Sequence, residues 1–360
     1  MRDPFPLPAI PALSDAVKPY ADKLNLTGLP FHVHEVVGFA LFYTFVQTTV
    51  SPIVSKALFP RFYPTDRAKK ANWDSHVVSL VQSVAINCVA LYVIFFDEER
   101  KAMDWQQRIW GYTGASGLVG SMAAGYFLWD FIMTVTHLDI FGVGLLAHAV
   151  SALTVYSFGF RPFLNFYAPV FILYELSTPF LNVHWFCDKL NLTGSKIQLY
   201  NGIALLVTFA GCRLVYGTFQ SILVYIDMWK AVHTGPDASY VAAAYGKNGT
   251  MTDPDLTMMA FVKGTDPIPV WLASIYVASN VVLNTLNWHW FFKMISAVRK
   301  RFEPAKKEKE VPLSARGGSE KSDGSATTTA VDVLQDARKR RNTLEDLTPD
   351  SEELREGTIQ

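Results

Sequence analysis

Long apolar stretches recur along the chain, and the short segments between them hold most of its charges. A helix of about 20 apolar residues crosses the hydrocarbon core of a bilayer. The pattern therefore predicts an all-α, polytopic transmembrane helical bundle with about seven spans and a disordered C-terminal tail. The predicted spans are Val36–Leu58, Val77–Phe96, Gly117–His137, Gly142–Phe160, Phe163–Phe186, Leu199–Met228 and Val270–Phe292.

The composition supports a membrane protein. Half of the 360 residues are hydrophobic and only 18% are charged, whereas a soluble domain carries about 25% charged residues. The net charge is zero, so no overall field attracts nucleic acid, and no nucleic-acid partner is expected. The cysteines Cys88, Cys187 and Cys212 show no paired spacing, so we expect neither a disulfide framework nor a metal site.

Lysine and arginine in the connecting segments predict the orientation. They concentrate after the first predicted span and again after the seventh, and such segments favour the cytosolic side of a membrane. Residues 1–31 are then a lumenal arm, residues 32–300 the transmembrane domain and residues 301–360 a cytosolic tail. The tail has too few apolar residues to form a core, which predicts disorder.

Three glycosylation sequons follow this orientation. Asn25 and Asn248 fall on the lumenal side, which makes them candidates for N-glycosylation. Asn191 falls on the cytosolic side, where it should stay unmodified.

Ionisable residues inside spans are the first pointer to function. Asp130, Glu175 and Arg213 lie near the middle of predicted spans, at about the same depth. Such residues are costly in a membrane and normally face the bundle interior or a cavity. An unpaired buried arginine would be strongly destabilising, so we expect Arg213 to pair with one or both carboxylates. The group could be a structural brace alone, or a brace that also lines a polar chamber.

Other polar residues extend these faces. Polar residues of three predicted spans each share one helical face: Asp130, Thr134 and His137; Glu175, Thr178 and Asn182; and Asn280, Asn284 and Asn287. Three further candidates are Trp129 inside the third span, His148 among apolar neighbours in the fourth span, and His184 near the end of the fifth span. A neutral histidine at position 148 could be a general base, a haem ligand or a hydrogen-bonded core residue.

Two motifs resemble a known family. The run Tyr126–Asp130, followed by His137, is similar to the start of the TLC-domain motif. The run Glu175–Phe186 resembles the E-x-S-T-P-F-x-N-x-x-W-F stretch of that family. The resemblance covers about residues 72–300 and is strongest to the TLC-domain-containing proteins of fungi and animals.

The resemblance implies a multispan bundle of the endoplasmic reticulum or a related endomembrane, with a role in lipid homeostasis. Ceramide synthases are relatives that transfer an acyl chain from acyl-CoA and carry two adjacent histidines. Here Ala147 precedes His148, and the downstream H-D-x-x-D pattern is absent. We therefore expect a polar intramembrane cavity that binds a membrane lipid or acyl chain, without a cofactor. The sequence leaves the oligomeric state open.

Three other functions stay open at this stage. The first is an acyl-CoA-dependent lipid acyltransferase with His148 as general base, supported by Asp130 and His137, and with acyl-CoA as co-substrate. The second is a haem-binding electron carrier with His137, His148 or His184 as axial ligands. The third is a transporter or receptor.

Overall fold

The fold of the chain comes from a computed structural model that describes residues 1–161, 163–245, 258–260 and 265–302. The helices are α1 Pro11–Leu24, α2 Leu29–Phe45, α3 Ser51–Leu58, α4 Arg67–Phe96, α5 Glu98–Lys101, α6 Trp105–Trp110, α7 Gly114–Thr136, α8 Leu138–Phe158, α9 Ala168–Phe171, α10 Thr178–Lys189, α11 Lys196–Phe209, α12 Gly217–Thr234, α13 Ala238–Tyr245 and α14 Val270–Phe302. The strands β1 Gly111–Thr113 and β2 Met258–Ala260 form a short antiparallel pair. The predicted all-α helical bundle is confirmed.

Among the described residues, four helices are long and apolar enough to cross a membrane. They are Leu29–Leu58, Arg67–Phe96, Gly114–Thr136 and Lys196–Thr234. The first joins α2 to α3 through a π-helical turn, and the last joins α11 to α12 in the same way. The predicted number of about seven spans is not confirmed by this finding. The predicted tail lies outside the described residues, apart from Arg301 and Phe302, the last two residues of α14.

Local sequence signals explain where several helices begin. The side chain of Asp66 accepts a hydrogen bond from the amide of Lys69 and caps α4. Asp104 forms a capping box with Gln107 at the start of α6, and Ser195 caps α11. Short polar side chains at these positions satisfy amides that a helix leaves without partners in its first turn.

The segment predicted as the fifth span is a broken helix. It consists of a 3₁₀ turn at Asn165–Tyr167, α9, a second 3₁₀ stretch at Ile172–Ser177, and α10. Pro169 and Pro179 lie in the first turns of α9 and α10. Because proline has no amide hydrogen to continue a helix but fits its first turn, each proline begins a new helical piece.

Helix α7 lies at the centre of the fold and packs against α2, α4 and α8. Gly125 allows the close approach of α2, because a Cβ atom there would lie 2.7 Å from Phe39 Cβ and from the carbonyl oxygen of Val36. Helix α8 contains one non-helical residue, Gly142, with φ 75°. The predicted fourth span began at this glycine, whereas the helical segment begins earlier, at Leu138.

Two ends of the bundle are distinguished by their contacts. At the arm end, the amide of Gly28 donates to the carbonyl oxygen of Phe160 at 2.8 Å. At the tail end, the rings of Trp73 and Trp185 lie 5.8 Å apart. Helix α2 runs from the arm end towards the tail end, and α4 returns.

The heptapeptide DKLNLTG occurs twice, at residues 22–28 and 188–194. Asn25 and Asn191 both adopt the left-handed conformation, with φ 56° and 58°. In both copies the next amide donates to the carbonyl oxygen five residues earlier, at 2.8 Å. This is the Schellman pattern that ends a helix. The first copy lies beside the arm end, and the second follows α10 at the tail end.

Candidate functional site

Arg213 organises the centre of the bundle. It is fully buried and lies in the π-helical turn Ala210–Tyr216, a feature that often marks functional sites. Its Nε donates to the carbonyl oxygen of Tyr174 at 2.8 Å and to Ser177 Oγ at 3.2 Å. Its Nη2 donates to Thr178 Oγ1 at 3.3 Å. The guanidinium therefore clamps the 3₁₀ stretch, where interrupted helical bonding leaves a backbone acceptor available.

Two further groups complete this network. Arg213 Nη1 donates to Asn287 Oδ1 at 3.2 Å, which ties in α14. Glu175 Oε1 lies 4.0 Å from Arg213 Nη2, at the outer limit of an ion pair. The structure thus brings Arg213 together with Glu175, while the described contacts of Arg213 do not include Asp130. Direct hydrogen bonds, more than the ion pair, hold the guanidinium.

The other predicted residues of α7 face different surroundings. Asp130 and Thr134 are buried. Trp129 Nε1 donates to Gln47 Oε1 at 2.9 Å, which joins α7 to the π-helical turn after α2. His137 ends α7, where its Nδ1 lies 2.9 Å from Thr136 Oγ1. Neither Asp130 nor His137 lines the cavity described next.

A cavity lies between α7, α8, the broken helix and α14. The cavity volume is about 100 Å³, and part of the cavity is open to the outside. In contrast to the predicted polar cavity, most of its wall is apolar or aromatic, as at Phe127, Ala152, Tyr156, Phe163, Phe171 and Leu283. The polar groups His148, Glu175 and Asn287 are on the wall near Arg213.

His148 is the least satisfied of these polar groups. The residue is 6% exposed, and neither ring nitrogen has a hydrogen-bond partner among the described residues. Its ring meets Phe127 edge-on, with centroids 6.0 Å apart. A buried imidazole without partners is costly, so this side chain is available to a polar group that enters the cavity.

Asn182 and His184 belong to a separate cluster towards the tail end. Asn182 Oδ1 lies 2.7 Å from His76 Nδ1, and its Nδ2 donates to Ser79 Oγ at 3.0 Å. The His76 ring stacks on Trp185 at 3.9 Å. These contacts tie α10 to α4. His184 Nε2 lies 3.5 Å from Gln198 Nε2, across the connection to α11.

Sequence reasoning missed a polar cluster at the arm end. His32 Nδ1 lies 2.9 Å from Glu35 Oε2 and 3.4 Å from Asp3 Oδ2. The other ring nitrogen of His32 contacts the hydroxyl of Tyr112. Burial, followed by the neighbouring Glu35 carboxylate, raises the pKa of Asp3 to about 7. The available signal was the sequence H-x-H-E at the start of an apolar helix, just before the predicted first span.

Only one of the two glycosylation candidates lies among the described residues. Asn25 is exposed at the end of α1. Asn248 lies outside the described residues, so its placement stays a prediction.

A family model described as the TLC domain matches residues 72–296. The chain is 34% identical over 304 residues to an uncharacterised TLC domain-containing protein of Schizosaccharomyces pombe, a match that covers 84% of this chain and 91% of the relative. It is 28% identical to topoisomerase I damage affected protein 4 of Saccharomyces cerevisiae, over 80% of this chain and 90% of the relative.

An animal relative matches over a similar span. Human TLC domain-containing protein 4 is 26% identical over 274 residues, which cover 75% of this chain and 89% of the relative. Residues 72–296, which the family model matches, contain the central arginine network and the cavity wall of α7, α8 and α14. This chain belongs to the TLC-domain family of membrane proteins.

Proposed function

We propose that the protein serves lipid homeostasis by holding a membrane lipid, or the acyl chain of one, in the cavity between α7, α8 and α14. The observation that carries the proposal is the unpartnered imidazole of His148 on a mostly apolar wall. An endomembrane such as the endoplasmic reticulum, with the arm end lumenal, is the expected location.

The physical chemistry of the wall fits an amphipathic ligand. An acyl chain that moves from the bilayer to an apolar wall gains little hydrophobic free energy, so packing and polar contacts must favour the bound lipid. A hydroxyl or amide of the same lipid would hydrogen-bond to His148 and so remove the cost of an unsatisfied buried group, about 1 to 3 kcal/mol. Glu175 and Asn287, which Arg213 holds in place, are further polar groups on the same wall.

Acyl transfer is the second candidate, and the same histidine favours it. In this reaction His148 would accept the proton of an amine or hydroxyl as that group attacks the thioester of acyl-CoA, and the coenzyme A thiolate would leave. A general base is usually held by a second polar group. Neither ring nitrogen of His148 has such a partner among the described residues, so lipid binding is the primary proposal.

Lipid mass spectrometry of the purified full chain tests the binding proposal. Wild-type protein, His148→Ala and His233→Ala would be purified from the same membranes. His233 is exposed, outside the cavity, and bonds to the carbonyl oxygen of Trp229, so it controls for the loss of an imidazole. We expect a specific lipid in wild type and His233→Ala and at least tenfold less in His148→Ala. Equal amounts of bound lipid in all three proteins would show that His148 does not contribute to lipid binding.

A second pair of variants tests the cavity itself. A Cβ atom at Gly120 or at Gly38 would meet no atom within 4 Å, but Gly120 lines the cavity whereas Gly38 is exposed on α2. Gly120→Leu should fill the cavity and expel the lipid. Gly38→Leu should retain it, although both changes alter helix propensity equally. Retention of the lipid by Gly120→Leu would show that it binds elsewhere.

A second measurement separates the two functions. Purified wild-type protein would be incubated with acyl-CoA and a long-chain amine or alcohol. Release of coenzyme A that depends on His148 would favour acyl transfer. Lipid retention without release of coenzyme A would favour a binding protein.

A further inference from the structure

We propose that Asp3, His32 and Glu35 form a binding site for a divalent transition-metal cation such as Zn²⁺, at the arm end of the bundle. The site is independent of the proposed lipid function. Its three potential ligand atoms come from two separate parts of the chain, the N-terminal arm and the first turns of α2, and all lie within 4.8 Å of one another.

The spacing of these atoms fits a shared ion. Nitrogen and carboxylate oxygen ligands bind Zn²⁺ at about 2.0 to 2.2 Å in tetrahedral geometry, so two ligands on one ion lie roughly 3.3 to 3.6 Å apart. The two described separations are 2.9 Å, from His32 Nδ1 to Glu35 Oε2, and 3.4 Å, from His32 Nδ1 to Asp3 Oδ2. The separation to Asp3 lies within this range, and the Glu35 carboxylate would move away from His32 by a few tenths of an ångström to admit the ion.

The neighbouring groups orient the ligands as they do in metal sites. For His32 Nδ1 to bind a cation, its Nε2 must carry the ring proton, and Tyr112 provides a hydroxyl oxygen against that nitrogen. The amide of Phe5 donates to Asp3 Oδ1 at 2.8 Å and leaves Oδ2 to face His32. Metal-binding histidines and carboxylates are characteristically held by such outer hydrogen bonds.

The charges of the cluster also favour a cation. Glu35 is 1% exposed, and Asp3 brings a second carboxylate to the same histidine. The buried Glu35 carboxylate and the partly exposed Asp3 carboxylate repel each other, and a buried charge is costly without compensation. One divalent ion compensates both. The Asp3 side chain is 27% exposed, which leaves a path for the ion and a position for water. A set of one histidine and two carboxylates suits borderline metals such as Zn²⁺ or Co²⁺.

The position of the proposed metal site suggests how a bound ion would affect the cavity. Tyr112 and Gly117 line the arm end of the cavity. A Cβ atom at Gly117 would lie 2.6 Å from His32 Nε2, so glycine lets the imidazole sit against the cavity wall. An ion bound by Asp3 and His32 would fasten the N-terminal arm to α2 and close this end of the cavity.

Cobalt spectroscopy on the full chain in detergent tests the proposal. Protein stripped with a chelator and titrated with Co²⁺ alone should show visible d–d bands that saturate at one ion per chain. Added Zn²⁺ should displace the bands, and elemental analysis should find one zinc per chain. Folded wild-type protein that binds no Co²⁺ or Zn²⁺ after metal removal would overturn the proposal.

Variants assign the site. Glu35→Gln and Asp3→Asn each remove a ligand and should weaken Co²⁺ binding by more than tenfold, whereas Tyr112→Phe should weaken it by about tenfold. His233→Asn is the matched control: His233 is exposed and contacts the carbonyl oxygen of Trp229, not the proposed ligands, and its loss should leave the affinity within threefold. If Glu35→Gln does not fold, Asp3→Asn provides the test, because Asp3 lies in the N-terminal arm and not in a helix of the bundle. Unchanged Co²⁺ binding in Asp3→Asn would refute the assignment.

Discussion

Replacing Arg213 with leucine is expected to destabilise the bundle more than any single change to its carboxylate partner. The guanidinium donates to the carbonyl oxygen of Tyr174, to the hydroxyls of Ser177 and Thr178, and to Asn287. Leucine leaves all four acceptors without this donor.

The magnitude follows from the burial of the network. Hydrogen bonds to a charged group contribute about 1.5 to 3 kcal/mol each, but they are not additive within one network. Removing one partner of a buried ion pair costs about 3 to 5 kcal/mol, and Arg213→Leu should fall in that range. At roughly 2 to 4 °C per kcal/mol, the unfolding temperature in detergent should fall by about 6 to 20 °C.

A double-mutant cycle separates the hydrogen bonds from the ion pair. Glu175→Gln should cost less than Arg213→Leu, because the guanidinium keeps its four donated bonds and the carboxylate lies 4.0 Å away. Combining the two changes should recover part of the loss, because the double variant no longer buries an uncompensated carboxylate. Arg213→Lys should not restore stability, since an ammonium cannot reproduce the planar fork of a guanidinium.

Thermal unfolding of the purified variants is the measurement, and Arg61→Leu is the control. Arg61 is exposed, so its loss should change stability by no more than about 0.5 kcal/mol. An Arg213→Leu protein that unfolds at the wild-type temperature would refute the reasoning. So would a Glu175→Gln protein that loses more stability than Arg213→Leu.

Two further predictions concern the ends of the bundle. Arg108→Lys should cost about 1 to 2 kcal/mol in thermal unfolding, because lysine cannot keep both bonds, at 2.7 and 2.9 Å, to the buried Asp227; stability equal to wild type would contradict a bidentate contact. Asn25→Gln should reduce a glycosidase-sensitive gel shift while Asn191→Gln has no effect, because the same heptapeptide and backbone conformation lie at opposite ends of the bundle. A glycan on Asn191 instead would mean the reverse orientation.

Much of the central site follows from sequence because the cost of burying charge in a membrane is independent of the fold. Arg213 and Glu175 stood out in apolar runs, and the structure brings them together. Periodicity also placed Thr178 and Asn287 on polar faces, and both hold Arg213. No spacing along one helix states which faces meet, so the pairing of Arg213 with Asp130 was equally open.

The features that the sequence did not predict are contacts between residues that lie far apart along the chain. Asp3 and His32 are brought together with Tyr112 only when the N-terminal arm folds back on α2. No local pattern encodes that return. The unpartnered state of His148 is likewise a property of its neighbours, and a sequence shows only that those neighbours are apolar.

The sequence by itself determined the helical membrane class, the family and the central ionisable residues, because hydrophobic length and the cost of buried charge act locally along the chain. Tertiary structure alone decided which acceptors Arg213 uses, where the broken helix yields a backbone carbonyl to it, and that an apolar cavity lies beside His148. These features depend on contacts between segments that are distant in sequence. The periodicity of a single helix does not determine those contacts, whereas the packing of the helices does.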